Sequence, residues 1–83
     1  MRALIVTPEP PAVPLGNSIT AMRWAGILRT LGHQVDIAGT WSGEDCDLLI
    51  ALHAQRSEPS IEHFRQAHPL RPVILALTGL RLV

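Results

Sequence analysis

The chain has no lysine: its seven basic residues are all arginines, spaced singly, and they balance seven acids to a net charge of zero. Binding to a nucleic-acid backbone calls for a basic stripe, so nucleic acid is not an expected partner. Without lysine there is no G-x-x-x-x-G-K-[ST] phosphate loop, and the loop after the first apolar run holds one glycine, Gly16, where a dinucleotide fingerprint needs three. Asp36, the nearest candidate for a ribose-binding acid, lies within a strand pattern and not at its end. Cysteine occurs once, as Cys46, which excludes an internal disulfide and a cysteine-rich metal site. His33, His63 and His68 match no two-histidine helical spacing, so no metal is expected. Long apolar runs and an N-terminal cleavage signal are also missing; the expected setting is cytoplasmic, with no membrane partner. Charged residues are scarce too, at 17 % against 47 % apolar. A chain of this size buries only roughly 60–65 % of its unfolded surface, so residues 1–83 are expected to be one incomplete domain of something larger.

What is present is a strand, loop and helix unit, followed by a second one. The run A-L-I-V at residues 3–6 is continuous and branched, as in a central parallel strand covered on both faces. Thr7 ends it. Pro8, Pro10, Pro11 and Pro14 each remove an N–H and hold φ near about −65°, which makes residues 7–15 a stiff extended loop. Asn17 or Ser18 is the expected N-cap of a helix whose buried stripe is Thr20, Trp24, Ile27, Leu28 and Leu31, with Ile19 and Met22 pointing away. Gly32 stops that helix, and Q-V-D-I-A at residues 34–38 alternates like an outer strand.

Residues 39–47 read as a surface loop whose acids, with Asp36, serve solubility. L-L-I-A-L at residues 48–52 is the second strongly apolar run and the second central strand, with residues 53–57 as its exit loop. Ser57 is the expected cap of a second helix, with Pro59 in its first turn, Ile61 and Phe64 as its buried stripe, and Pro69 barring continuation past His68. Residues 73–77 form a fourth strand, ended by Thr78 and Gly79.

The implied fold is α/β, a Rossmann-like three-layer arrangement around a parallel sheet of order 2-1-3-4, because the first and third strands are the most apolar and belong side by side. Ligands of such sheets bind where the strand order reverses, outside the carboxyl ends of the strands. Four strands need helices on both faces, and only two helices are legible, so part of the sheet is expected to stay apolar and exposed, leaving the chain alone marginally stable or sticky.

L-I-V-T-P-E-P-P, G-N-S-I-T-A-M-R-W-A, L-G-H-Q-V, D-L-L-I-A-L-H-A-Q-R-S and R-P-V-I-L-A-L-T-G, in that order over residues 1–79, together resemble the amino-terminal half of GT-B glycosyltransferases, most closely the selenosugar synthases of selenoneine biosynthesis. The resemblance implies a two-domain enzyme that joins N-acetylglucosamine from UDP-N-acetylglucosamine to selenophosphate through a carbon–selenium bond. It uses no cofactor beyond the UDP-sugar substrate. The amino-terminal domain mostly holds the acceptor, and the carboxy-terminal nucleotide-sugar domain would be absent from this chain. Leu80, Arg81, Leu82 and Val83 depart from the family's continuation, so its acid and tyrosine there do not carry over.

Under that resemblance Gly16, Asn17, Ser18 and Thr20 at the helix start are candidates to cradle an anionic acceptor, with Arg23 or Arg56 and Ser57 completing the clamp and Thr78 and Gly79 lining the crevice. His53 is the candidate catalytic residue, orienting the acceptor or stabilising the leaving diphosphate. Each has a structural counterpart: turn and cap for Gly16 and Asn17, solvated helix for Arg23, core for Trp24, cap for Ser57, loop hydrogen bond for His53, strand end for Thr78 and Gly79. Two other functions stay open: a GT-B enzyme with a carbohydrate or lipid acceptor, and a non-catalytic flavodoxin-like binding module.

Overall fold

A computed structural model describes residues 1–7, 16–52 and 54–76, with residues 16–18, 54–56 and 76 described through the backbone alone. The elements run β1 (Arg2–Val6), α1 (Gly16–Thr30), β2 (Gln34–Ala38), β3 (Leu48–Leu52), α2 (Ala54–Ala67) and β4 (Val73–Ala76). The four strands form one parallel sheet in the order β2-β1-β3-β4, as the hydrophobicity of the strands led us to expect. β1 and β3 are the inner pair, in register from Ala3 opposite Leu48 to Val6 opposite Ala51. Every residue of β3 is buried, whereas β2, at one edge, buries only Val35 fully. The architecture is Rossmann-like α/β.

The period of two sorts the strand side chains into two cores. Ala3, Ile5, Val35, Leu48, Ile50 and Leu52 meet α1 on one face, while Leu4, Val6 and Leu49 meet Phe64 of α2 on the other. The connection from β1 steps towards one edge and that from β3 towards the opposite edge. With both right-handed, the two helices fall on opposite faces.

The face that α1 buries differs from the expected stripe. Ala21 and Ala25 are its fully buried residues, Thr20, Trp24 and Leu28 are half-buried, and Ile27 and Leu31 are 55 % and 67 % exposed. Small side chains let a helix lie close to a sheet, so the alanines take the contact line and the large residues flank it. Hydrophobicity ranks Ile and Leu above Ala and therefore turned the stripe towards Ile27 and Leu31, while Trp24 and Leu28 do pack against the core as expected. Ile19 and Met22 are exposed, as expected. The helix also starts earlier than predicted: Asn17 and Ser18 are inside its first turn and do not cap it. Its end is as expected. Gly32 has φ 92°, its N–H donates to the Arg29 carbonyl (3.0 Å) and that of His33 to the Leu28 carbonyl (3.1 Å), a Schellman closure.

α2 likewise begins earlier than predicted, at Ala54, and Pro59 lies past its first turn. Ser57 is inside the helix. Its hydroxyl donates to the carbonyl of Leu52 (2.6 Å), tying the helix to the end of β3 instead of capping it. Phe64 is fully buried and Ile61 half-buried, as the periodicity predicted.

The segment 39–47 is more than a surface loop. It crosses on the α2 face, where a doubly wound sheet would carry another helix, and contributes Trp41 and Cys46 to that core. Trp41 meets Phe64 edge-on (5.5 Å, 87°), and its ring N–H donates to the Glu44 carbonyl (2.8 Å). The Trp41 backbone N–H donates to the buried Ser60 hydroxyl (3.0 Å). Arg71 clasps the far end of the segment, donating to Asp45 Oδ1 (2.9 Å) and to the Cys46 carbonyl (2.8 Å). His68 is half-buried against Trp41 (6.0 Å) and Phe64 (5.3 Å); His33 is half-buried too, and His63 is exposed.

Candidate functional site at the carboxyl edge of the sheet

Parallel strands all end on one side, and the order 2-1-3-4 leaves the ends of β1 and β3 adjacent there while the chain departs in opposite directions. Val6 pairs with Ala51, so Thr7 and Leu52 are the next neighbours across the pair. Both helices begin at this edge, at Gly16 and Ala54. The first backbone N–H groups of each have no intrahelical acceptor and carry the positive end of the helix dipole. Free N–H groups at a helix start are a setting in which anions bind in general.

The backbones of Gly16, Asn17 and Ser18 lie in the first turn of α1, and that of Arg56 in the first turn of α2. Thr20 follows one turn later and is half-buried. Arg23 is exposed and about 10 Å along the axis from Gly16, so it approaches the edge only with its side chain extended back along the helix. Ser57 is buried, its hydroxyl occupied by the Leu52 carbonyl. His53, Thr78 and Gly79 lie outside the described residues.

One residue at this edge was passed over by the sequence reading except as the end of a strand. Thr7 extends the β1–β2 ladder by one bond, its N–H donating to the Ala38 carbonyl (2.9 Å). Its side chain is fully buried, and its hydroxyl has no hydrogen-bond partner among the described residues. The available signal was the polar residue closing an otherwise apolar central strand.

Two hollows lie elsewhere. At the amino edge, an open polar one of about 470 Å³ is lined by Met1, Arg2, Gly32, Gln34 and residues 45–47. Its groups are engaged in structure: Asp47 accepts from the Arg2 backbone (3.0 Å), Arg2 Nε donates to Gln34 (3.2 Å), and Arg71 holds the Asp45 carboxyl below its usual range. Burial pushes the Cys46 thiol up, which keeps it protonated and unreactive. The other hollow is an apolar groove of about 210 Å³ between α1 and the sheet, walled by Trp24, Ile27, Leu28, Ile50 and Ile74. It is the exposed sheet surface anticipated from counting helices.

Among the described residues no three of His, Cys, Asp and Glu gather in a way that holds a metal ion, and no helix is long and apolar enough to cross a membrane. A scan of protein-family models and a search of the curated proteins each find no match to the chain.

Proposed function

We propose that the chain is the acceptor-side, Rossmann-like domain of a GT-B glycosyltransferase, working with a second domain that binds a nucleotide sugar, and that the acceptor is selenophosphate. The observation that supports this most is the strand order, which leaves β1 and β3 side by side with a helix following each of them from the carboxyl edge of the sheet. The residues that resemble selenosugar synthases, G-N-S-I-T-A-M-R-W-A and L-H-A-Q-R-S, map to the two segments that leave this edge.

The chemistry asks little of a base. Selenophosphate is already deprotonated and polarisable, so the selenium lone pair attacks the anomeric carbon of UDP-N-acetylglucosamine, the carbon–selenium bond forms, and the carbon–oxygen bond to UDP breaks. The domain's part is to hold and neutralise the nucleophile in line with that carbon. In this reading the α1 N-terminus, with Gly16, Asn17, Ser18 and Thr20, grips the phosphate oxygens, Arg23 or Arg56 adds charge, and His53 orients the acceptor or the departing diphosphate.

The test is to express the gene with its downstream coding region and supply UDP-N-acetylglucosamine and selenophosphate. A sugar product bearing the selenium isotope pattern, formed in step with UDP release, is the expected result. UDP-sugar turnover with a carbohydrate or lipid acceptor and no competition by selenophosphate would move the assignment to another GT-B acceptor class.

A further inference from the structure

Thr7 poses a physical question that the fold itself does not answer. A buried hydroxyl left without a partner destabilises the folded state, and such groups are rare in native proteins unless something else satisfies them. Thr7 is fully buried with its Oγ1 unpaired among the described residues, although its backbone N–H is properly bonded to Ala38.

The direction of the side chain follows from the strand. Ala3 and Ile5 face the α1 core, and Leu4 and Val6 the α2 core, so the alternation carries Thr7 to the α1 side. Ile5 shares its cluster with Ala21 and Ala25. Two residues along a strand advance about 6.6 Å, close to the roughly 6 Å spanned by four residues of helix. Since α1 runs back against the strands, Thr7 stands at the level of the first turn of α1, where the backbone N–H groups are free of intrahelical partners.

We propose that Thr7 forms the floor of a tetrahedral-oxyanion subsite: its hydroxyl and the first-turn N–H groups of α1 together bind an anion of the phosphate class. The hydroxyl donates to an unprotonated oxygen or accepts from a protonated one, so the subsite takes phosphate, its sulfur and selenium analogues and sulfate alike. The hydroxyl is closed off from solvent in the ligand-free structure, so binding displaces whatever covers it. The identification of the physiological anion as selenophosphate rests on the acceptor-side reading; the subsite itself does not need it.

The experiment measures binding of inorganic phosphate, thiophosphate and sulfate by calorimetry to the wild-type chain and to Thr7→Val and Thr7→Ser, with thermal unfolding of each ligand-free protein. The expected pattern is binding of all three anions weakened about 10-fold or more in Thr7→Val and largely kept in Thr7→Ser. Valine is isosteric and removes the unpaired hydroxyl, so the ligand-free Thr7→Val protein is expected to melt about 4 °C or more above wild type. Wild-type protein that binds none of the three, undiminished binding by Thr7→Val, or a Thr7→Val protein less stable than wild type overturns the proposal; the last would show that the hydroxyl has a structural partner. The two readings fail separately. Thr7-dependent phosphate binding without sugar transfer leaves the subsite and removes the glycosyltransferase, whereas transfer indifferent to Thr7→Val does the reverse.

Discussion

On the α2 face of the sheet the cover is made by large side chains: Phe64 is fully buried against Leu4, Val6 and Leu49, and Trp41 closes over it from the 39–47 segment. On the α1 face the helix is seated by two alanines, its bulky Trp24, Ile27 and Leu28 flank the contact, and a groove runs from them to Ile50 and Ile74. One face is thus covered by a helix and a loop acting together, with Leu75 of β4 at its margin left 46 % exposed. The other is filled under α1 and open beyond it, with Ile74 of β4 left 48 % exposed. The difference teaches that a loop without secondary structure can do a helix's work if it carries an aromatic ring and its polar groups are tied down, as Trp41, Ser60 and Arg71 do here.

The largest effect that would break this contrast is Phe64→Ala. Loss of the central ring is expected to cost about 3–5 kcal/mol in urea unfolding, a large share of the stability of a chain this small, and to release Trp41, seen as a red shift of tryptophan emission. An effect under about 1 kcal/mol would show that the two faces do not differ as described. Next comes Ala25→Leu, which enlarges a residue on the contact line of α1; overpacking is expected to cost about 1–3 kcal/mol, where the same substitution at an exposed helix position would be nearly neutral. Ile74→Thr keeps a β-branched residue in an edge strand and is expected to cost about 1 kcal/mol or less while lowering the binding of a hydrophobic dye, because it removes one wall of the groove. Unchanged dye binding would place the exposed apolar surface elsewhere.

The smallest effect concerns the clasp on the 39–47 segment. The hydrogen bond and charge of Arg71 hold the Asp45 carboxyl below its ordinary value, so the unfolded chain binds more protons than the folded one across the acid range. The contribution is fully present above the unfolded-state value and is lost as pH falls through the lower folded-state one. Wild type and Asp45→Asn should therefore differ in melting temperature near neutral pH and converge in acid, and because the pair is exposed the difference should shrink in high salt. A difference independent of pH would assign the effect to something other than ionisation.

Much of the fold was legible because its signals are local. Two unbroken branched runs marked β1 and β3 as the inner pair, alternation marked β2 as an edge, and Gly32 marked the end of α1. The helix starts were misplaced because capping residues such as Ser57, Asn17 and Ser18 also serve inside a first turn, and nothing local tells a cap from a hydroxyl bonded back to a strand end. The buried stripe of α1 was misaimed because hydropathy ranks large residues first, while the approach of helix to sheet selects small ones. At the candidate site, the crevice was legible from topology. Thr7 was not, since an unpaired hydroxyl is a property of its surroundings.

The order of apolar runs, glycines and prolines by itself determined a parallel sheet of order 2-1-3-4 with its switch point between β1 and β3, because strand burial and connection handedness follow from pattern alone. Tertiary structure decided which side of α1 is buried, that residues 39–47 become cover through Trp41 and Cys46, and that Thr7 is enclosed with its hydroxyl unpaired among the described residues. Each of these depends on how closely surfaces approach in three dimensions, a quantity no local pattern of residues encodes.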